Sequence, residues 1–274
     1  MRKNLAVCSW SLQPTGPSEL AESILRTGLS RTQLAIERLL SDEWDLHALK
    51  ECFAKHSIEI CSGMMTTIGE DYSTLGSIKL TGGLRPDEHW DRNLARTIRT
   101  AQIAHSLDVK LMTLHAGFIP QRHTIEYRII TGRIKIVNEE FQNHGIALAL
   151  ETGQERAEDL LEMLDLPNME TVGVNFDPAN MILYGMGDPA DAIELLKHRI
   201  SQVHMKDAVT TTTPGTWGQE VPVGQGEVDW GQFFRVVDAL PQSIDVVIER
   251  EAGEDRVNDI IAARKIAQRS EGAE

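Results

Sequence analysis

Several features that mark large classes of protein are scarce or missing in this sequence. There are three cysteines, Cys8, Cys52 and Cys61, with no Cys-x-x-Cys spacing. An odd number so placed indicates neither a disulfide framework nor a thiolate zinc site, and predicts reduced, packed thiols. No run approaches the roughly 18 apolar residues of a membrane span. The start, MRKNLAVCSW, has only a brief apolar stretch and resembles a first strand more than a secretion signal. A membrane partner is therefore not expected, and a cytoplasmic location is. Basic residues are in deficit, 27 against 41 acidic, for a formal charge of -14. That balance repels phosphate backbones over most of the surface and argues against a nucleic-acid partner. A Gly-rich phosphate cradle of the P-loop kind is absent, as is any low-complexity linker.

What is present is an alternation of strand and helix signals. The chain has 274 residues, 41% of them apolar, which suits one large core and the roughly 250 residues of a (β/α)8 barrel. Apolar, β-branched runs predict strands at NLAVCSW (4–10), TQLAI (32–36), IEICSG (58–63) and DVKLMTLHA (108–116), then at GIALALE, TVGVNFD, SQVH and IDVVIE. Helical segments lie between them, with Pro17, Pro86 and Pro189 at expected helix starts and Gly28 and Gly145 at expected stops. The expectation is a single-domain α/β fold, a TIM barrel over residues 1–274. Two connections, Met64–Pro86 and Ala208–Asp229, are too long to be simple turns and are expected to cover the strand ends as lids or binding loops.

The last four runs end in Glu151, Asp177, His204 and Glu249, separated by 26, 27 and 45 residues. On a parallel barrel, strand C-termini form the rim where chemistry sits. Three carboxylates and an imidazole make a hard, oxygen-rich donor set for one divalent ion, Mn²⁺ first, with Mg²⁺, Co²⁺ or Zn²⁺ as alternatives. Taken singly, each has a plainer reading. A strand-end acid commonly caps the next helix, and a lone histidine is more often a hydrogen-bonded core residue.

The segments ALETGQE, GVNFDPANM, QVHMKDA, VPVGQGEVDW and VVIERE, in that order, resemble the sugar phosphate isomerase/epimerase family of xylose isomerase-like TIM barrels. The resemblance implies that Glu151, Asp177, His204 and Glu249 hold a divalent metal and that the two glutamates flank a bound sugar on opposite faces. Many ketose 3-epimerases of this kind have a histidine three residues after the aspartate, where this chain has Asn180.

The chemistry that such a site supports is proton abstraction next to a carbonyl through an enediolate, with Glu151 and Glu249 as the catalytic pair. Return of the proton to the opposite face epimerises, and return to the adjacent carbon isomerises. Loss of a β-hydroxyl would make the enzyme a lyase or dehydratase acting on a keto-sugar or inosose. His115, Lys206 and Glu251 are expected to bind the sugar substrate. Lys206 is two positions beyond His204 and so on the same side of a strand, its plainer role being a salt bridge to Asp207 or Glu227. Trp10, Trp217 and Trp230 are candidate pocket walls. An abasic-site endonuclease, a noncatalytic sugar-binding barrel and a homo-oligomer are the further expectations to be weighed.

Overall fold

The computed structural model describes residues 4–269; the remainder of the expected domain, 1–3 and 270–274, lies outside them. In chain order the first elements are β1 (Asn4–Cys8), α1 (Pro17–Arg26), β2 (Arg31–Ala35), α2 (Glu37–Leu40), α3 (Leu46–His56), β3 (Glu59–Met64), α4 (Leu75–Thr81), α5 (Asp87–Ser106), β4 (Leu111–Leu114) and α6 (Ile125–Asn143). They continue as β5 (Ala147–Glu151), α7 (Ala157–Leu164), β6 (Val172–Phe176), α8 (Pro178–Tyr184), α9 (Pro189–Leu196), β7 (Ile200–Met205), β8 (Asp207–Val209), β9 (Gln219–Val221), α10 (Trp230–Asp238), β10 (Asp245–Ile248) and α11 (Arg256–Arg269). Parallel strands close into a barrel in the order β1-β10-β7-β6-β5-β4-β3-β2, and β8 and β9 form a separate antiparallel pair. The fold is the single-domain TIM barrel expected from the alternation.

Successive strand side chains point to opposite faces, and here the two faces differ in chemistry. Val7, Leu34, Leu114, Leu148, Leu150, Val174, Phe176, Val203, Met205, Val246 and Ile248 face outward into the core shared with the helices. Burying each large one contributes roughly 1.5–3 kcal/mol. The opposite parity carries small or polar residues, among them Gln33, Thr113, Asn175, Gln202 and His204, all 0% exposed. Their contacts prove that they point inward. Gln33 on β2 meets Thr113 on β4 at 2.7 Å and His204 on β7 at 2.7 Å, and neither strand neighbours β2. Glu151 and Glu249 share that inward parity, so the pleat aims them at the barrel axis.

Element ends depart from expectation in physically legible ways. Residues 9 and 10 leave β1 for a short 3-10 turn, Ser9–Leu12, and β4 is trimmed at both ends of its apolar run. The strand expected to stop at His204 runs on to Met205. Pro17 and Pro189 occupy the first helical position, where their missing N–H goes unused, but Pro86 is the N-cap of α5. The long connections carry structure of their own, α4 in the first and the β8–β9 hairpin in the second. Among the described residues no helix is long and apolar enough to cross a membrane.

Candidate metal centre

Glu151 ends β5, Asp177 and Glu249 stand one residue past β6 and β10, and His204 is the penultimate residue of β7. Adjacent parallel strands therefore bring the four expected ligands together. Each offers one atom such that all lie within 4.8 Å of one another. None of the four side chains is more than 4% exposed. His204 Nδ1 is 3.2 Å from Glu249 Oε2, 3.5 Å from Glu151 Oε1 and 3.7 Å from Asp177 Oδ2.

The polar accounting of this cluster has a gap in one place. Asp177 Oδ2, His204 Nδ1 and Glu249 Oε2 are buried without a hydrogen-bond partner, whereas the other atom of each side chain is engaged. Asp177 Oδ1 accepts from the Asn180 amide at 3.0 Å, capping α8. Glu249 Oε1 accepts from the Trp10 indole at 2.7 Å. Gln33 Nε2 donates to Thr113 Oγ1 at 2.7 Å. His204 Nε2 is met by Gln33 Oε1 at 2.7 Å and Asn175 Nδ2 at 3.0 Å, which leaves Nδ1 facing the carboxylates. Three buried atoms without hydrogen bonds converging on one spot, with Glu151 beside them, fit a divalent cation. The helix-capping reading of Asp177 is also true, through its other oxygen.

The charges around the spot point the same way. Burial works to raise the Glu151, Asp177 and Glu249 carboxyls, but His115 and His204 beside the first, and Lys206 and His204 beside the other two, hold all three below their usual values. Burial works to lower His204, and Glu151 with its fellow carboxylates outweighs it, raising the imidazole well above its ordinary value. The same negative surroundings that favour a charged His204 would also favour a divalent cation at that spot.

Around the cluster stand the other expected residues. His115 Nε2 is 3.3 Å from Glu151 Oε1. Lys206 is not paired to Asp207 or Glu227. Its ammonium donates to Asn180 Oδ1 at 3.1 Å and Glu251 Oε2 at 2.7 Å and lies 3.1 Å from Glu249 Oε2. Glu251 stays outside the ligand cluster, its side chain 51% exposed. Trp10 does line the cluster, while Trp217 packs edge-on against Tyr184 and Trp230 against Phe233.

Sequence reasoning passed over Gln33 and Asn175 and marked Asn180 only as the place of a missing histidine. Asn175 Nδ2 donates to Glu151 Oε2 at 3.1 Å, and Asn180 Nδ2 donates to Glu151 Oε1 at 2.9 Å. A signal for Asn175 was available, since it lies two residues before Asp177 and so on the same strand face. For Gln33, a polar residue interrupting an apolar run, the role depends on a contact across the barrel.

Two buried acids build the wall behind Lys206. Asp207 accepts from the backbone amides of Ala208, Gly224, Gly226 and Val228 and from the Trp230 indole, at 2.8 to 3.2 Å. Gly226 is confined to glycine, because a Cβ there would sit 2.0 Å from Asp207 Oδ1. Glu220 on β9 accepts from Arg250 Nη1 at 2.7 Å and from the amides of Glu251 and Ala252 at 2.9 and 3.2 Å. The hairpin thereby holds Glu251 against Lys206.

Comparison with known proteins agrees with this architecture. The family profile described as Xylose isomerase-like TIM barrel matches residues 29–269. A curated protein of Escherichia coli (strain K12), the uncharacterized protein YihM, is 32% identical over 102 residues. That match spans 36% of this chain and 31% of YihM, less than a third of its length. A xylose isomerase domain protein from Planctomyces limnophilus is 25% identical, with a TM-score of 0.87 and 98% of both chains covered. Two more distant structures share the fold. A xylose isomerase-like TIM barrel protein from Mycobacterium smegmatis, in complex with magnesium, has a TM-score of 0.69 at 16% identity over 93% of this chain and 88% of its own. The 3-keto-D-glucoside 4-epimerase YcjR from E. coli has a TM-score of 0.74 at 12% identity over 98% of this chain and 100% of its own. With the profile running from the second strand to the last helix of this barrel, the chain belongs to the xylose isomerase-like TIM barrel family.

Proposed function

We propose that this chain is a divalent-metal-dependent sugar isomerase or epimerase, with Glu151, Asp177, His204 and Glu249 as ligands of one ion, Mn²⁺ ahead of Mg²⁺, Co²⁺ and Zn²⁺. The observation that carries the reading is the convergence of Asp177 Oδ2, His204 Nδ1 and Glu249 Oε2, buried and unpartnered. When bound, the ion supplies Lewis acidity that stabilises negative charge on a carbonyl oxygen and its neighbouring hydroxyl.

The chain's own groups do the rest. Glu151 is held by Asn175, Asn180 and His115, and Glu249 by the Trp10 indole, so neither carboxylate is free to rotate and each can meet a proton at a set angle. One takes the proton from the carbon beside the carbonyl, and the other, across the substrate, returns it. His115, Lys206 and Glu251 take the sugar's hydroxyl and carbonyl oxygens. The magnesium-bound and keto-glucoside-epimerising fold neighbours support this class of chemistry without specifying the sugar.

Dehydration of the same enediolate is the second reading. Glu155, on the loop that follows Glu151, is pushed up to about 8 by burial, with Asp159 and Glu151 adding repulsion, and so holds a proton at neutral pH that such a reaction could draw on.

The test is NMR of ketoses, keto-glycosides and inososes in D₂O with metal-stripped and Mn²⁺-restored protein. Metal-dependent deuterium uptake is expected, lost in both Glu151→Gln and Glu249→Gln, and the product separates epimer, isomer and dehydrated compound. Exchange retained in both variants would refute the assignment.

A further inference from the structure

Lys206 brings a fixed positive charge into a centre built for a cation. It is 3% exposed, and its Nζ lies 3.1 Å from Glu249 Oε2 and 3.7 Å from Asp177 Oδ2, two of the three buried atoms without hydrogen bonds. It also reaches Glu151 through one intermediary. Lys206 donates to Asn180 Oδ1 at 3.1 Å, which turns Asn180 Nδ2 toward Glu151 Oε1 at 2.9 Å. Glu251, at 2.7 Å, ties the ammonium to the rim. Asn180 Oδ1 and Glu251 Oε2 accept two of the ammonium's three N–H groups, and Glu249 Oε2 stands 3.1 Å away as an ion-pair partner. Glu251 is itself held through its backbone amide by Glu220 Oε1 at 2.9 Å.

We propose that Lys206 is a built-in counter-cation that competes with the divalent ion for Glu249 and Asp177 and so sets the metal affinity of the centre. The proposal rests on the metal reading above. In the metal-free protein, Glu151, Asp177 and Glu249 repel one another in a desolvated space, and Lys206 offsets that repulsion. Lys206 is not among the four ligand-type side chains, so an arriving ion meets its charge beside the same carboxylates. A like charge on the same carboxylates weakens the ion's binding, and burial keeps salt from screening the effect. The centre trades affinity for the ability to hold its shape while empty and to exchange its metal.

This predicts opposite signs for two measurements on Lys206→Met. Its affinity for Mn²⁺ should rise by about tenfold or more, about 1.4 kcal/mol per tenfold, while the metal-free protein should melt at a lower temperature. A residue that only contacts substrate would move neither quantity, and one that only orders the ligands would weaken the metal. The experiment titrates Mn²⁺ into the full metal-stripped chain, following the free-ion electron paramagnetic resonance signal, for wild type, Lys206→Met and the charge-preserving Lys206→Arg. Tightening in the Met variant, with the Arg variant within about threefold of wild type, is expected on charge grounds. Binding by folded Lys206→Met no tighter than wild type overturns the proposal. Should the Met variant not fold, Lys206→Gln, whose amide can still meet Asn180 and Glu251, is judged by the same criterion. A wild-type protein that binds neither Mn²⁺ nor Mg²⁺ would overturn the metal reading itself, a result distinct from the other two.

Discussion

The two long excursions leave opposite walls of the barrel, one after β3 and the other after β7, and they are held down by different physics. The first is held at its start by Glu37 and Asn93, which accept from the Thr66 and Ile68 amides, and farther on by short-range contacts. Thr74 and Ser77 form a reciprocal capping box at the start of α4, and Leu75 and Ile78 pack with Phe118 and Tyr184 in a small cluster separate from the main core. The second is secured by buried carboxylates, Asp207 and Glu220, each collecting several N–H groups. Both meet at α8, since Trp217 of the second packs on Tyr184 beside the residues of the first. The difference teaches where placement must be exact. The hairpin that positions Glu251 against Lys206 is fixed by charge-assisted bonds, strong and costly to break, whereas α4 in the first excursion rests on a capping box and a small apolar cluster.

Removing the anchor should have the largest effect. Asp207→Ala strands the amides of Gly224, Gly226 and Val228 and the Trp230 indole, and should destabilise the fold by about 4 kcal/mol, read from urea midpoints. A loss under about 1 kcal/mol would mean that the second excursion is held no more firmly than the first.

Glu155 sharpens the comparison from the other side, because it is buried and lines a cavity together with Phe118 and with Lys79 and Arg85 of the first excursion. Its folded value of about 8 lies above the ordinary 4.5. The contribution of its neutral carboxyl to stability is therefore full below about pH 4.5 and is lost as the pH climbs through about 8. Glu155→Gln should match wild type at pH 4 and exceed it by on the order of 3 kcal/mol at pH 9. A constant difference across that range would show that the first excursion opens freely and lets water reach the carboxylate.

Glu220→Ala should cost about 2 kcal/mol through the Arg250 guanidinium and the two amides left behind. It should also raise the KM for substrate, because Glu251 loses its clamp. At the small end, Thr74→Ala removes one half of the capping box and should cost about 1 kcal/mol, measured by the same denaturation. An effect of Thr74→Ala equal to that of Asp207→Ala would abolish the contrast.

Much of this architecture was legible before the coordinates. Alternating apolar runs, with Pro17 and Pro189 at helix starts and Gly28 and Gly145 past helix ends, suffice for a barrel because strand and helix periodicities are local properties. Glu151, Asp177, His204 and Glu249 were legible as a set because parallel strands of similar length deliver their last residues to one rim. Asn180 was noticed only as an absence of histidine, although its side chain links Lys206 to Glu151. The true partners of Lys206 were not legible either. Asp207, next to it in the chain, is drawn away by the glycine-rich segment from Gly224 to Trp230, and Glu249 and Glu251 reach Lys206 from a strand more than forty residues later.

The sequence by itself determined the barrel, the parity that turns polar residues inward, and which four ligand-type side chains stand at neighbouring strand ends, since each depends on patterns within a few residues. Only the tertiary structure decided that Asp177 Oδ2 and Glu249 Oε2 are left without hydrogen bonds, that His204 Nδ1 faces the carboxylates, and that a lysine shares the carboxylates of the candidate metal centre. Those are contacts between strands distant in the chain, and they are set by how the closed barrel brings its inward faces together.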